Sequence, residues 1–210
     1  MSAGPVIDAI KAGKWDEVRE QIAASEFIDE RATDGATAAQ LAVYSRQKQI
    51  GIDLAAKMSD LDFPTACTVG DKAAVERHLA ADPTVIDRPS LDGFTPASLA
   101  AAFSNTDVLE VLLEHGADPD LRGTALGGVA PIHAAVFGWN FAGVETLVKA
   151  GADVNLVQGG GFTALHAAAQ NNNQAMIELL LAAGASTSAL TDDGRSPRDF
   201  ATDETVRLML

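Results

Sequence analysis

Phe162-Thr163-Ala164-Leu165-His166-Ala167-Ala168-Ala169 is the stretch on which the reading of this chain turns. Near-copies of it recur at a spacing of about 33 residues, a period typical of helical repeat arrays. Val129-Ala130-Pro131-Ile132-His133-Ala134-Ala135-Val136 stands one such period earlier, and Ser196-Pro197 stands one period later. Thr95-Pro96-Ala97-Ser98-Leu99-Ala100 precedes the Val129 copy by slightly more than a period. The three fuller openings each lead into a second apolar segment, Val108 to Leu113, Val144 to Val148 and Met176 to Leu181. Each then reaches a Gly-Ala pair, at Gly116-Ala117, Gly151-Ala152 and Gly184-Ala185. A helix of about ten residues, a turn, a second such helix and a glycine stop account for this order. Neither helix alone buries both of its apolar faces. Stacking like units side by side does, which is why such repeats come in arrays.

The N-terminal half keeps the same register less faithfully. Val6 to Ala24 reads as a helix pair with Gly13 in the turn and Trp15 and Val18 on the packed face. Thr37-Ala38-Ala39-Gln40-Leu41-Ala42 opens the next unit, and another opens near Leu61, well short of a full period later. The shortening falls after Met58, where the usual Gly-Ala-Asp segment is missing. That connection is therefore expected to lack a turn finger. Seven units result, starting near residues 4, 37, 61, 95, 130, 163 and 196, the last cut short at Leu210. The chain reads as one domain over 1–210, with degenerate repeats over 4–94, regular ones over 95–195 and a truncated cap over 196–210.

The openings resemble the T-P-L-H-x-A motif of the ankyrin family, most closely over Phe94–Asp120, Val129–Asn155 and Phe162–Ser188. The resemblance covers nearly the whole chain and extends to bacterial stand-alone ankyrin proteins. It implies an all-α ankyrin-repeat α-solenoid of about seven helix pairs with β-turn fingers. It also implies an adaptor, scaffold or inhibitor that binds a protein on its concave finger and inner-helix face. A self-associating structural subunit is the first alternative, and an enzyme the last.

Composition agrees with packed helices, and charge narrows the partners. Hydrophobic residues make up 47% and aromatics 5%, a bias toward Ala and Leu that suits short, closely packed helices. A net charge of -14 argues against nucleic acid, which needs clustered Lys and Arg, and against an anionic membrane surface. It is compatible with a basic protein partner, or with solubility alone. Cys67 is the only cysteine, so no intrachain disulfide can form and a reducing compartment fits. Met1 to Ile10 lacks the pattern of a signal peptide, and no run reaches the roughly 18 apolar residues of a bilayer span. A cytoplasmic monomer is expected.

Each polar candidate for chemistry has a repeat-based explanation. Gly35, Gly93, Gly128, Gly161 and Gly194 recur two residues before an opening, as a turn needing positive φ would require. Gly159-Gly160-Gly161 is then a finger turn rather than a phosphate loop, since no Lys-Ser/Thr follows it. His133 and His166 occupy the His of the family motif, where the resemblance implies a hydrogen bond to neighbouring backbone. Neither has a His, Cys or carboxylate three or four residues away in its helix. His78 and His115 fall near the ends of second helices. Cys67 lies among small residues of an inner helix and reads as a buried structural thiol. Asp192-Asp193 reads as a solvated finger tip. No catalytic residue, cofactor or metal is expected.

The ankyrin resemblance places partner contacts on finger tips and inner helices. The residue after each finger glycine is Ala36, Phe94, Val129, Phe162 and Arg195. Three consecutive apolar residues at a position that also accepts Arg suggest a row of about 20 Å outside the core. Leu91 and Leu126 extend the tips, and Phe103, Phe137, Gln170 and Asn171 end the inner helices. Trp139 replaces the usual inter-helix glycine, with Gly138 beside it able to supply the turn. Gly123 to Gly128 lengthens one finger by two residues, at the edge where specificity could be tuned. The alternative is that the rings pack against neighbouring fingers, so this face carries two readings.

Overall fold

A computed structural model describes residues 4–210. Fourteen α-helices form seven helix–turn–helix pairs among them. The pairs are α1 Pro5–Lys11 with α2 Trp15–Ala24, α3 Ala38–Tyr44 with α4 Lys48–Ala55, and α5 Phe63–Val69 with α6 Lys72–Ala81. They continue with α7 Pro96–Ala102 and α8 Thr106–Glu114, α9 Pro131–Phe137 and α10 Phe141–Lys149, and α11 Ala164–Gln170 and α12 Gln174–Ala182. The last is α13 Pro197–Phe200 with α14 Glu204–Met209. The odd-numbered helices contact one another in sequence as an inner row, and α6, α8, α10 and α12 do so as an outer one.

The inner helices have at most seven residues, too few to persist alone in water. Caps and packing hold them. The side chains of Thr37, Asp62 and Thr95 each accept the backbone N–H of the residue three positions on. Thr163 with His166, and Ser196 with Asp199, form reciprocal capping boxes. The caps stand at 37, 62, 95, 130, 163 and 196, within one residue of the expected unit starts. Ala38, Ala39, Ala42, Ala66, Ala97, Ala100, Ala135, Ala164 and Ala168 keep the inner row thin and buried. The outer helices supply bulk through Leu109, Leu112, Leu147, Met176, Ile177 and Leu180, each fully buried.

Polar ladders tie each repeat to the next. Asn105 donates to the carbonyls of Cys67 and Thr68 at 2.9 and 2.8 Å, and Asn140 to that of Ala101 at 3.0 Å. Asp87, Asp120 and Asn155 accept the N–H of Asp118, Asp153 and Ser186 respectively. Part of the acidity is thus structural: these side chains satisfy backbone groups at the outer-helix ends.

Five fingers project between the pairs. Ala32, Ser90, Gln158 and Thr191 donate across a turn to the carbonyls of Ala36, Phe94, Phe162 and Arg195 at 2.8–2.9 Å. Gly123 spans the longer finger to Val129 at 3.1 Å. The glycine before each closing residue has φ between 75° and 95°, a conformation that other residues adopt at a cost. Between Met58 and Phe63 no such bond forms. There the N–H and hydroxyl of Ser59 bond the Asp29 carboxylate, and Arg31 pairs with Asp62 at 2.6 Å. The absent finger lets its neighbours meet. Leu91 packs against Gly35, where a Cβ would stand 2.4 Å from the leucine Cβ, and the Tyr44 hydroxyl donates to Asp92 at 2.7 Å. The core divides at the same place, one cluster over Val6 to Val69 and a larger one over Phe63 to Val206.

Two local expectations are corrected. Trp139 itself takes the left-handed turn conformation, φ 57°, while Gly138 is helical at φ −78°. Gly138 serves close approach instead, since a Cβ there would lie 2.1 Å from the Ala102 carbonyl oxygen. The residue after the finger glycine is not free of the core. Ala36 is buried, Phe94 and Val129 are half-buried against the larger cluster, and Phe162 is half-buried against His166 and Phe200. Only Arg195 is exposed there. Trp15 is half-buried against the smaller cluster, and Val18 is fully inside it.

Candidate functional site

The expected contact residues separate into two groups. Phe94, Phe103, Leu126, Val129, Phe137 and Trp139 line one concave groove of about 750 Å³ between the fingers and the inner helices. Leu91, Phe162, Gln170, Asn171 and Arg195 lie outside it. Phe162 belongs to a cluster at the C-terminal end, edge-on to Phe200 with ring centroids 4.8 Å apart, while Arg195 lies 4.2 Å over the Phe200 ring. Gln170 and Asn171 are exposed near the end of α11.

Exposure grades the groove residues. Phe137 and Leu126 are each 79% exposed and Trp139 55%. Phe94 and Phe103 are half-buried because both pack on Tyr44. Its ring stacks on Phe103 at 5.3 Å and meets Phe94 edge-on at 6.4 Å. Sequence reading missed Tyr44, although it follows Thr37 at the same offset as Phe137 follows Ala130. Burial and the Asp92 carboxylate push the Tyr44 phenol far above its ordinary range. It is a neutral hydrogen-bonding wall.

Two of the most exposed apolar side chains hang from unfavourable backbone. Leu126 at φ 48° and Trp139 at φ 57° are left-handed, which costs roughly 1–2 kcal/mol for a residue with a Cβ. The inter-helix turns equivalent to that of Trp139 use Gly13, Arg46, Gly70, Ser104 and Asn172, none of them as large an apolar side chain. Packing cannot explain an indole there, since most of it faces solvent. Outliers kept against such a cost cluster at binding surfaces and other functional sites.

The titratable groups near the site are structural. His166 accepts the Thr163 N–H at Nδ1, 3.1 Å away, so its Nε2–H donates to the Arg195 carbonyl at 3.2 Å. His133 makes the equivalent Nε2 bond to Leu156 at 2.9 Å, but no partner meets its Nδ1 among the described residues. The Thr163 hydroxyl also meets His166 Nδ1, at 2.8 Å, and Ala130 has no hydroxyl to do the same for His133. Burial holds both imidazoles below their ordinary pKa. His78 bonds the Leu61 carbonyl and His115 that of Val111. Burial pushes the Cys67 thiol well above its ordinary range. Asp192 and Asp193 are exposed at a finger tip. Among the described residues no three His, Cys, Asp or Glu side chains converge as a metal site would require. No helix among them is long and apolar enough to cross a membrane.

Comparison with known proteins agrees with this architecture. A family model described as ankyrin repeats (3 copies) matches residues 63–158, and one described as ankyrin repeats (many copies) matches 147–201. A putative ankyrin repeat protein of Rickettsia felis is 34% identical over 85 residues, which are 40% of this chain and 27% of that relative. The match thus spans about a quarter of the relative's length. Ankyrin repeats are in general protein–protein interaction modules. With its finger turns, paired helices and TPLH-type caps, this chain belongs to the ankyrin-repeat family.

Proposed function

We propose that the chain is a protein–protein interaction module, an adaptor, scaffold or inhibitor, whose partner seats on the concave groove. One observation carries the reading. Phe137, Leu126 and Trp139 converge on a single groove largely exposed, and two of them are held there by left-handed backbone. Contiguous exposed apolar surface marks an interaction site more often than a solubility accident, and aromatic anchors dominate such interfaces. No chemistry is needed: every histidine and the one thiol already serve the fold. The module acts as a monomer and without a cofactor, and the lone buried thiol suits the cytoplasm.

The test is affinity capture from native lysate with three baits: the unaltered chain, Phe137→Ala, and Glu178→Ala on the exposed side of α12. A partner kept by the first and third baits and lost by the second supports the reading. A partner kept equally by all three places binding elsewhere.

A further inference from the structure

Charge, as well as shape, sets the groove apart. The chain has 29 Asp and Glu against 15 Lys and Arg, yet the groove lining contains no carboxylate. Its two cations, Arg46 and Lys48, both come from the second repeat, at one end. Lys48 is engaged, donating to the Phe103 carbonyl at 3.1 Å and to Asn105 Oδ1 at 2.6 Å. Arg46 is exposed, and its guanidinium meets no acceptor among the described residues. Two carboxylates stand behind Tyr44 without lining the groove: Asp92 accepts from the Tyr44 and Ser90 hydroxyls, and Asp34 accepts the Ala36 N–H.

Arg46 also has a defined place relative to the indole. It sits at φ 63° in the turn between α3 and α4, the position that Trp139 fills between α9 and α10. Gly70 and Ser104 hold this position in the intervening turns, so little bulk separates cation from indole. Repeats stack roughly 8–10 Å apart, which makes the three steps about 24–30 Å. An extended chain at about 3.3 Å per residue covers that span in roughly eight or nine residues.

We propose that the groove takes an extended apolar segment of another protein that carries a carboxylate at one end. Arg46 binds the carboxylate, and the bulky side chains seat on Phe137 and Trp139. This rests on the groove being the partner-binding surface. The surrounding charge of -14 repels an acidic segment nearly everywhere else. An acid-free groove with a free guanidinium at its end is where that repulsion is lifted, which is a basis for selectivity. The long-range field still favours a basic protein, so the segment is acidic only where it meets the groove.

Dye-labelled ten-residue peptide pools of identical apolar composition test this against the full chain by anisotropy at low salt. Both termini are blocked, and one end position is fixed as Asp or Glu, as Asn or Gln, or as Lys or Arg. The acidic pool should bind about tenfold tighter than the basic one. Salt should narrow that gap. Arg46→Asp, which keeps a residue tolerant of left-handed backbone, should reverse it. Phe137→Ala should weaken all three pools alike. Equal affinity of the pools, or preference for the basic one, overturns the acidic segment and leaves the groove as a binding surface. Failure of every pool to bind or to move tryptophan emission overturns both. Dodecanoate moving that emission where no pool does, or a dimer that the acidic pool cannot dissociate, also overturns the proposal. The first would favour a small alkyl carboxylate and the second another copy of the chain.

Discussion

Ala130 and Trp139 depart from the repeat pattern in opposite directions, and each departure has a measurable consequence. Ala130 is buried at a cap position where Thr37, Thr95 and Thr163 use their hydroxyls, and its loss leaves His133 Nδ1 without a partner. Ala130→Thr should restore the box seen at Thr163 and stabilise the fold by about 1 kcal/mol. That corresponds to a rise of roughly 2–4 °C in Tm for a chain of this size. An unchanged or lower Tm would show that the site has no room for the hydroxyl. Trp139→Gly should also stabilise, by about 1 kcal/mol, because it relieves a left-handed tryptophan. It should weaken partner binding at the same time. Gain in Tm without loss of binding would remove the indole from the site. The two inner histidines predict a pH effect of defined sign. Burial depresses both, so the unfolded chain takes up protons near pH ~6.5 that the folded chain resists. The stability they contribute is complete above about pH 6.5 and drains as pH falls through the depressed folded values. Tm should therefore drop between about pH 7.5 and 5, and drop less in the double variant His133→Gln, His166→Gln. Asp193 and Asp199, lowered chiefly by hydroxyl hydrogen bonds from Thr191 and Ser196, act only below about pH 4. Asp87, raised by burial, works in the opposite sense but is common to both proteins and cancels in the comparison.

At the scale of the helix pair, inner and outer elements should fail differently. Leu112→Ala and Leu180→Ala empty fully buried sites in α8 and α12 and should each cost about 2–5 kcal/mol, measured by urea unfolding. Phe137→Ala removes an exposed ring at the end of α9 and should leave the midpoint nearly unchanged. Phe162→Ala should fall between them, because its ring is wedged on His166 and Phe200. Sequence periodicity fixes all of these elements well, since the repeat samples the same cap, turn and finger several times over. The Thr and Ser caps, the finger glycines and the missing finger after Met58 are all legible in that way. The division of the aromatic row is not. Whether Phe94 is free depends on Tyr44, which belongs to an earlier repeat, and on a skipped finger that brings the two together. Likewise Gly138 reads as the source of the turn because glycine permits positive φ. Its real constraint, the Ala102 carbonyl against its Cα, comes from the neighbouring repeat and leaves no local trace. Periodic contacts are readable from one sequence, whereas contacts made where the period breaks are not.

For the whole molecule, the skipped finger coincides with the division of the buried core into two clusters. In a repeat array each unit is stabilised by itself and by its two interfaces, so a weak interface limits cooperativity. The buried residues of the first two pairs, with Val69, form a smaller cluster than those from Phe63 onward, and Leu61 and Phe103 pack against both. Hydrogen exchange followed by mass spectrometry in rising urea should therefore show peptides from residues 6–55 losing protection before those from 97–180. Simultaneous loss would mean that the interface between the second and third pairs is as strong as the rest. The boundary also crosses the groove, because Tyr44, Arg46 and Lys48 lie on its N-terminal side and Phe94 to Trp139 on the other. A segment spanning the groove must hold the two bodies together, and binding to the folded state alone adds stability that grows with its free concentration relative to Kd. Saturation with the acidic peptide pool should then delay exchange in α3 and α4 more than in α12, which lies away from the site. Protection confined to α9, with α3 unaffected, would mean that the occupant stops short of Arg46 and that the cationic end takes no part in binding.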